Sequence, residues 1–240
     1  MAVAETLRLG ELAIELVRKD IRQVHLSVHP PAGRVRIAAP QRMRMETVRV
    51  FAIAQLGWIR AQQRRMRAQP REPQRDMVDR ESHWLWGQRL LLQLSEADGP
   101  MRVQATARHL CMQVRPGTHR ATREALLERW YRDQVREAAV PMLGTWCGRM
   151  GVEVEHLFVQ RMKTRWGSCP PAMRSVRLNT ELAKKPIECL EFVLVHELAH
   201  LLEPHHGPRF ADLMDALLPP WRQWRDRLNR LPLPHATWTL

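Results

Sequence analysis

The chain has 240 residues, 45% of them apolar and 26% charged, with a formal charge of +13. That length suits one large domain or two small ones, and the composition excludes a disordered or collagenous chain. No run approaches the roughly 18 consecutive apolar residues of a membrane helix. Glu5, Arg8, Glu11 and Glu15 interrupt the apolar residues at the N-terminus, leaving no signal-peptide core, so a cytoplasmic protein without a membrane partner is expected. Cys111, Cys147, Cys169 and Cys189 form no CxxC pair, which argues against a zinc ribbon, a thioredoxin-type site and a disulfide scaffold. The positive field attracts phosphates, nucleic acid or acidic polypeptide without choosing among them; nucleic acid enters as a partner from net charge alone.

In chain order, residues 1–40 hold the short runs LAIELV, VHLSVHP and VRIAAP, punctuated by Pro30, Pro31, Gly33 and Pro40. They predict two or three strands joined by turns. Residues 42–68 place Met45, Val48, Phe51, Ala54, Trp58 and Ile59 at helical spacing and predict one helix with a basic end. Residues 69–80 are polar and proline-containing, as an exposed linker would be. Strands return from Trp84 to Val114, with turns at Asp98-Gly99 and Pro116-Gly117. Residues 121–150 predict a long helix with a kink at Pro141. A strand over 152–160 follows, then a hairpin around Pro170-Pro171, a helix from Pro186 to Glu203, and a further helix over 207–229. The sequence shows no internal repeat. A boundary near residue 118 would separate a β-rich N-terminal region with one helix (1–118) from an α+β core (119–240), unless the two share one core.

The residues His196-Glu197-Leu198-Ala199-His200 form an HExxH motif. Positions i and i+4 stack on one helix face, so both imidazoles can reach one metal ion. Glu197, offset by about 100°, borders the ion without ligating it and can take a proton from water. A catalytic zinc needs a third protein ligand and an open position. Pro204 ends the helix at Glu203, and His205-His206-Gly207 follows. His206 stands six residues after His200, the metzincin interval, although Glu203 occupies the place of the metzincin glycine. His206 is therefore the expected third ligand. Glu203 and His205 are the alternatives, Glu203 also as a partner orienting an imidazole.

The runs RWGSCPPAMRSVRLNTEL and FVLVHELAHLLEPHHGPRF resemble the YgjP-like metallohydrolase family, related to SprT-like and WLM zinc proteases. The resemblance rests on Trp166-Gly167-Ser168-Cys169, Leu178-Asn179, the HELAH helix, and the H-x-x-x-F segment from His206 to Phe210. It is strong over residues 155–230 and fragmentary before that. It implies a zincin-like α+β catalytic core behind a β-rich N-terminal region, and three histidine ligands to zinc. No paired CxxC for a DNA-directed ribbon is present. Members are labelled metal-dependent hydrolases or metallopeptidases, and some nucleoside triphosphate pyrophosphatases.

The expected mechanism is attack by zinc-activated water on an amide, with Glu197 as general base. Lys163, Arg165 and Asn179, on the hairpin beside the active-site helix, are candidate substrate contacts. Trp166 and Phe210 read as packing residues. A zinc-activated water leaves Ser168 and Cys169 with no role as nucleophiles. The substrate expected is a peptide or unfolded protein. A nucleotide is the alternative, because segment 161–185 sets seven cations against Glu181, a local charge of +6. Zinc is the expected metal, though three histidines also accept manganese or nickel.

Overall fold

The computed structural model describes residues 4–29, 33–68, 70–163, 165–170 and 173–233. Pro30, Pro31 and Pro171 lie outside the described residues. Alternating apolar positions build four strands in the first forty residues where two or three were expected: β1 (Ala4–Leu9), β2 (Leu12–Lys19), β3 (His25–His29) and β4 (Arg34–Pro40). The expected single helix over 42–68 is broken at Gln55 into α1 (Met45–Ala54) and α2 (Leu56–Ala68). Val48, Ala52 and Ile59 are buried with Ile14, Leu16, Val35 and Ile37 of the sheet.

The second stretch of strands comprises β5 (Ser82–Leu85), β6 (Gln88–Glu96), β7 (Arg102–Ala105) and β8 (His109–Val114). The run LWGQ, read as part of one strand, is a hairpin turn: Trp86 and Gly87 both have positive φ, 49° and 81°, the backbone that a two-residue hairpin needs. A Cβ at Gly87 would lie 3.0 Å from Pro186 Cγ, so the tip of this hairpin sits on the residue that precedes the HExxH helix. The first sheet runs β1-β2-β4-β3 and the second β5-β6-β8-β7. In both, the outer pairs are antiparallel and the central pair parallel. A repeat invisible in the residues is thus present in the topology.

The rest of the chain forms α3 (Arg120–Met150), β9 (His156–Gln160), β10 (Gly167–Ser168) and β11 (Ser175–Asn179). A 3-10 turn (Thr180–Lys184), α4 (Ile187–Ala199), α5 (Pro208–Leu217) and α6 (Trp221–Arg230) complete it. Helix α3 runs through Pro141. The strand expected over 152–160 is confined to its last five residues, and the expected hairpin is the antiparallel pair β10–β11. The single helix expected over 207–229 is two, because Pro219-Pro220 breaks the hydrogen-bond ladder between Leu217 and Trp221.

The chain divides into two compact units, Met1–Glu72 with Pro232–Leu240, and Pro73–Leu231. The boundary expected near residue 118 therefore falls inside the second unit. The physical reason is a shared core: Leu90, Leu92, Leu110, Met112 and Val114 of the second sheet are buried together with Leu127, Tyr131 and Val135 of α3. No helix among the described residues is long and apolar enough to cross a membrane.

Candidate metal centre

Helix α4 is apolar almost all round, as a central helix must be. Cys189, Leu190, Phe192 to Val195, Leu198 and Ala199 are buried, and it packs on α3, α5, α6, β10 and β11. Pro186 caps its start, and Glu188 in the first turn suits the helix dipole. His196 and Glu197 lie in its last turn, half-buried, and His200 is the C-cap. Beyond it, Glu203 N–H still donates to Ala199 O at 2.8 Å, and Pro204 then stops the spiral. Gly207 N–H donates to His205 O at 2.8 Å, a tight turn that presents His206 just before α5 begins at Pro208.

This route brings three imidazoles together. His196, His200 and His206 each offer one ligand atom, and these atoms lie within 4.8 Å of one another. His196 Nε2 and His206 Nε2 are 3.0 Å apart. His200 Nδ1 is 3.3 Å from Glu203 O, which as a carbonyl can only accept; the proton is thereby assigned to Nδ1 and the Nε2 lone pair left for a metal. Burial, with His200 and His206 nearby, pulls the His196 imidazolium down to about 4, and burial also lowers His200. Both rings are thus neutral at pH 7, the form a metal requires. Nitrogen donors at this spacing fit a zinc-sized cation. Phe210, at the first turn of α5, is buried against all three rings, with centroids 4.8–5.0 Å away.

Strand β10 crosses beside Glu197. A Cβ at Gly167 would lie 2.8 Å from Glu197 Cγ and 2.9 Å from Val193 Cγ1, so only glycine lets the strand approach this closely. Burial pushes the Glu197 carboxyl up to about 7, while the Arg165 charge and the Cys169 backbone N–H, which donates to it, act against the rise. A bound dication would pull it back down.

The family model described as YgjP-like, metallopeptidase domain matches residues 23–231. The chain belongs to that family. The YgjP-like match spans the triad, Glu197, the β10–β11 hairpin and, in the first sheet, β3 and β4. No curated protein matches the chain. Two solved structures are similar over a smaller part. One is the metallopeptidase zymogen of Pyrococcus abyssi abylysin, with 18% identity, TM-score 0.34, and coverage of 37% of this chain and 89% of that one. The other is the metallopeptidase zymogen of Methanocaldococcus jannaschii jannalysin, with 17% identity, TM-score 0.34, and coverage of 37% and 84%. Likeness at that level carries no argument about function.

The structure of this YgjP-like protein sorts the remaining candidates. His205 is exposed and outside the triad, and Glu203 contributes its main-chain carbonyl, not its carboxylate. Arg165 is exposed and close enough to act on Glu197 electrostatically; Lys163 is exposed. Asn179, expected as a substrate contact, is fully buried and used up by the fold. Its Nδ2 donates to Met162 O at 3.0 Å and Arg165 O at 2.7 Å, and its Oδ1 accepts from Glu181 N at 3.1 Å. Among the described residues, several cations of the basic segment are engaged within the chain. Lys184 pairs with Glu181 at 2.8 Å, Arg174 with Glu153 at 3.1 Å, Arg177 lies 5.4 Å from the Phe158 ring centroid, and Lys185 is buried. Four of its seven cations serve the fold. The close approach at Gly167 was missed in the sequence, although a lone glycine opposite a helix is the signal that could have found it.

Proposed function

We propose that this chain is a zincin-like, zinc-dependent peptidase in which His196, His200 and His206 hold the metal and Glu197 is the general base. The observation that carries the reading is the convergence of three imidazole nitrogens from two segments, α4 and the turn before α5, with one half-buried carboxylate alongside. When bound, zinc supplies Lewis-acid polarisation of water and of a substrate carbonyl. Glu197, held by the Cys169 N–H and screened by Gly167 and Val193, takes the proton of the attacking water on a carboxylate oxygen and returns it to the departing amine. Arg165, whose charge acts on that carboxylate, favours its ionised form against the larger effect of burial and can meet a substrate carboxylate or carbonyl. The reading adds peptides or unfolded protein as the substrate class.

The test is metal content by elemental analysis, with cleavage of a quenched peptide pool, on wild type, His206→Ala and Glu197→Gln. Zinc in wild type, lost in His206→Ala and kept in Glu197→Gln, with cleavage only by wild type and abolished by chelator, is expected. A folded wild-type protein that takes up no added zinc would sink the reading.

A further inference from the structure

Imidazoles that bind metals are ordinarily held by their second nitrogen, whose N–H donates to a carboxylate or carbonyl. Among the described residues, only His200 of the three has that anchor, through Glu203 O at 3.3 Å. His196 Nδ1 is buried and meets no hydrogen-bond partner among the described residues. The polar contact of His206 is with His196 itself, Nε2 to Nε2, on the side where a metal would sit. Among the described residues, two of the three rings therefore find no hydrogen bond that would fix their rotation.

One side chain stands where those anchors are missing. Phe210 is 3% exposed and touches every ring of the triad. Its centroid is 5.0 Å from His196 at an interplanar angle of 69° and 4.8 Å from His206 at 85°, both edge-to-face. It stacks on His200 at 4.8 Å and 28°. Edge-to-face and offset contacts are the preferred geometries of aromatic pairs, so each constrains a ring plane as well as filling space. Phe192 adds a second contact to His196, edge-on at 5.7 Å. Phe210 is placed by the start of α5, which Pro208 opens.

Resting on the metal reading above, we propose that Phe210 is the positioning residue of the site: a single ring that sets the planes of His196 and His206 in place of absent hydrogen bonds, and couples them to His200. It touches neither substrate nor metal. Its loss releases two ligands and leaves one anchored, so its signature is metal affinity and coordination geometry more than fold stability.

The experiment compares Phe210→Leu (volume kept, ring lost), Phe210→Tyr (ring kept) and Met214→Ala, a buried loss on the same helix face away from the triad. Zinc affinity is measured by competition with a chromophoric chelator, geometry by the visible d–d spectrum of the cobalt-loaded protein, and fold by thermal unfolding in chelator. Phe210→Leu is expected to weaken zinc about 10–100-fold, the usual cost of losing an outer-shell partner, and to alter the cobalt spectrum. Phe210→Tyr and Met214→Ala are expected to bind zinc nearly as wild type does. Wild-type affinity in Phe210→Leu, or an equal loss in Met214→Ala, would overturn the proposal. Should Phe210→Leu fail to fold, Phe210→Tyr decides: near-wild-type binding supports a role for the ring, and a large loss with an intact fold refutes it. A wild-type chain that binds neither metal would instead sink the metal reading itself, a result separable from unaltered binding in the variants.

Discussion

Replacing Gly167 with alanine adds one methyl group at the tightest point beside Glu197. That Cβ would stand 2.8 Å from Glu197 Cγ, 2.9 Å from Val193 Cγ1 and 3.0 Å from Glu197 Oε1. Carbon atoms settle at about 3.5–4.0 Å, so β10 and the Glu197 side chain must separate by roughly 0.7 Å or more. Gly167 does not have a positive φ, so the effect is steric and not backbone strain. Overpacking of this kind costs about 1–3 kcal/mol of stability. The same displacement pulls the Cys169 N–H off the carboxylate and misplaces the base, and a shift near 1 Å can cost ~100-fold in rate. The atoms nearest that Cβ belong to Glu197 and Val193 and not to the triad, so zinc uptake should be unchanged. The assay is kcat/KM for peptide cleavage alongside metal content and melting temperature. Wild-type turnover with a wild-type melting temperature would refute the claim that glycine is required there; lost zinc would refute the separation of base from ligands.

Glu197→Gln should keep its metal and lose about 10²–10⁴-fold in kcat, the span of general-base contributions; full turnover would remove Glu197 from that role. Zinc at 100 times its Kd should raise the stability of the metal-binding unit by ~2.7 kcal/mol, about 5–10 °C in Tm, and chelator should reverse it; a Tm indifferent to zinc would contradict a built site. Asn179→Ala removes three hydrogen bonds of a fully buried side chain and should cost about 2–4 kcal/mol in denaturant titration, whereas a substrate-contact role would spare stability and raise KM. Burial pushes the Cys169 and Cys189 thiols up to about 11, so at pH 8 only ~0.1% of either is thiolate. Neither should react with iodoacetamide in the native protein, and rapid labelling of Cys169 would show that β10 opens.

The convergence of the three imidazoles was legible because its rules are local: i, i+4 stacking on a helix, a proline stop, and a histidine just past it. The expected end at Glu203 was close, since turns continue to Leu202 after α4 itself closes at Ala199. What escaped depended on contacts across the fold. Asn179 beside a basic hairpin looks like a donor for substrate, and only the positions of Met162 O and Arg165 O show that its amide is already engaged. Phe210 reads as an ordinary core residue until three rings are found against it. The division at residue 72 is hidden for a related reason: β5 to β8 alternate as β1 to β4 do, and periodicity cannot say which core an apolar face joins.

The repeated strand order makes the two leading hairpins unequal partners in one plan. Gly10 turns β1 into β2 with φ of 60°, and a Cβ there meets nothing within 4 Å. Its counterpart Gly87 is pressed against Pro186 at the head of the HExxH helix. A tag or loop inserted at the first tip has open space to occupy, whereas the same insertion at the second would pry at the seat of α4, two and a half turns from His196. The same four-strand design thus offers the engineer one handle and one keystone.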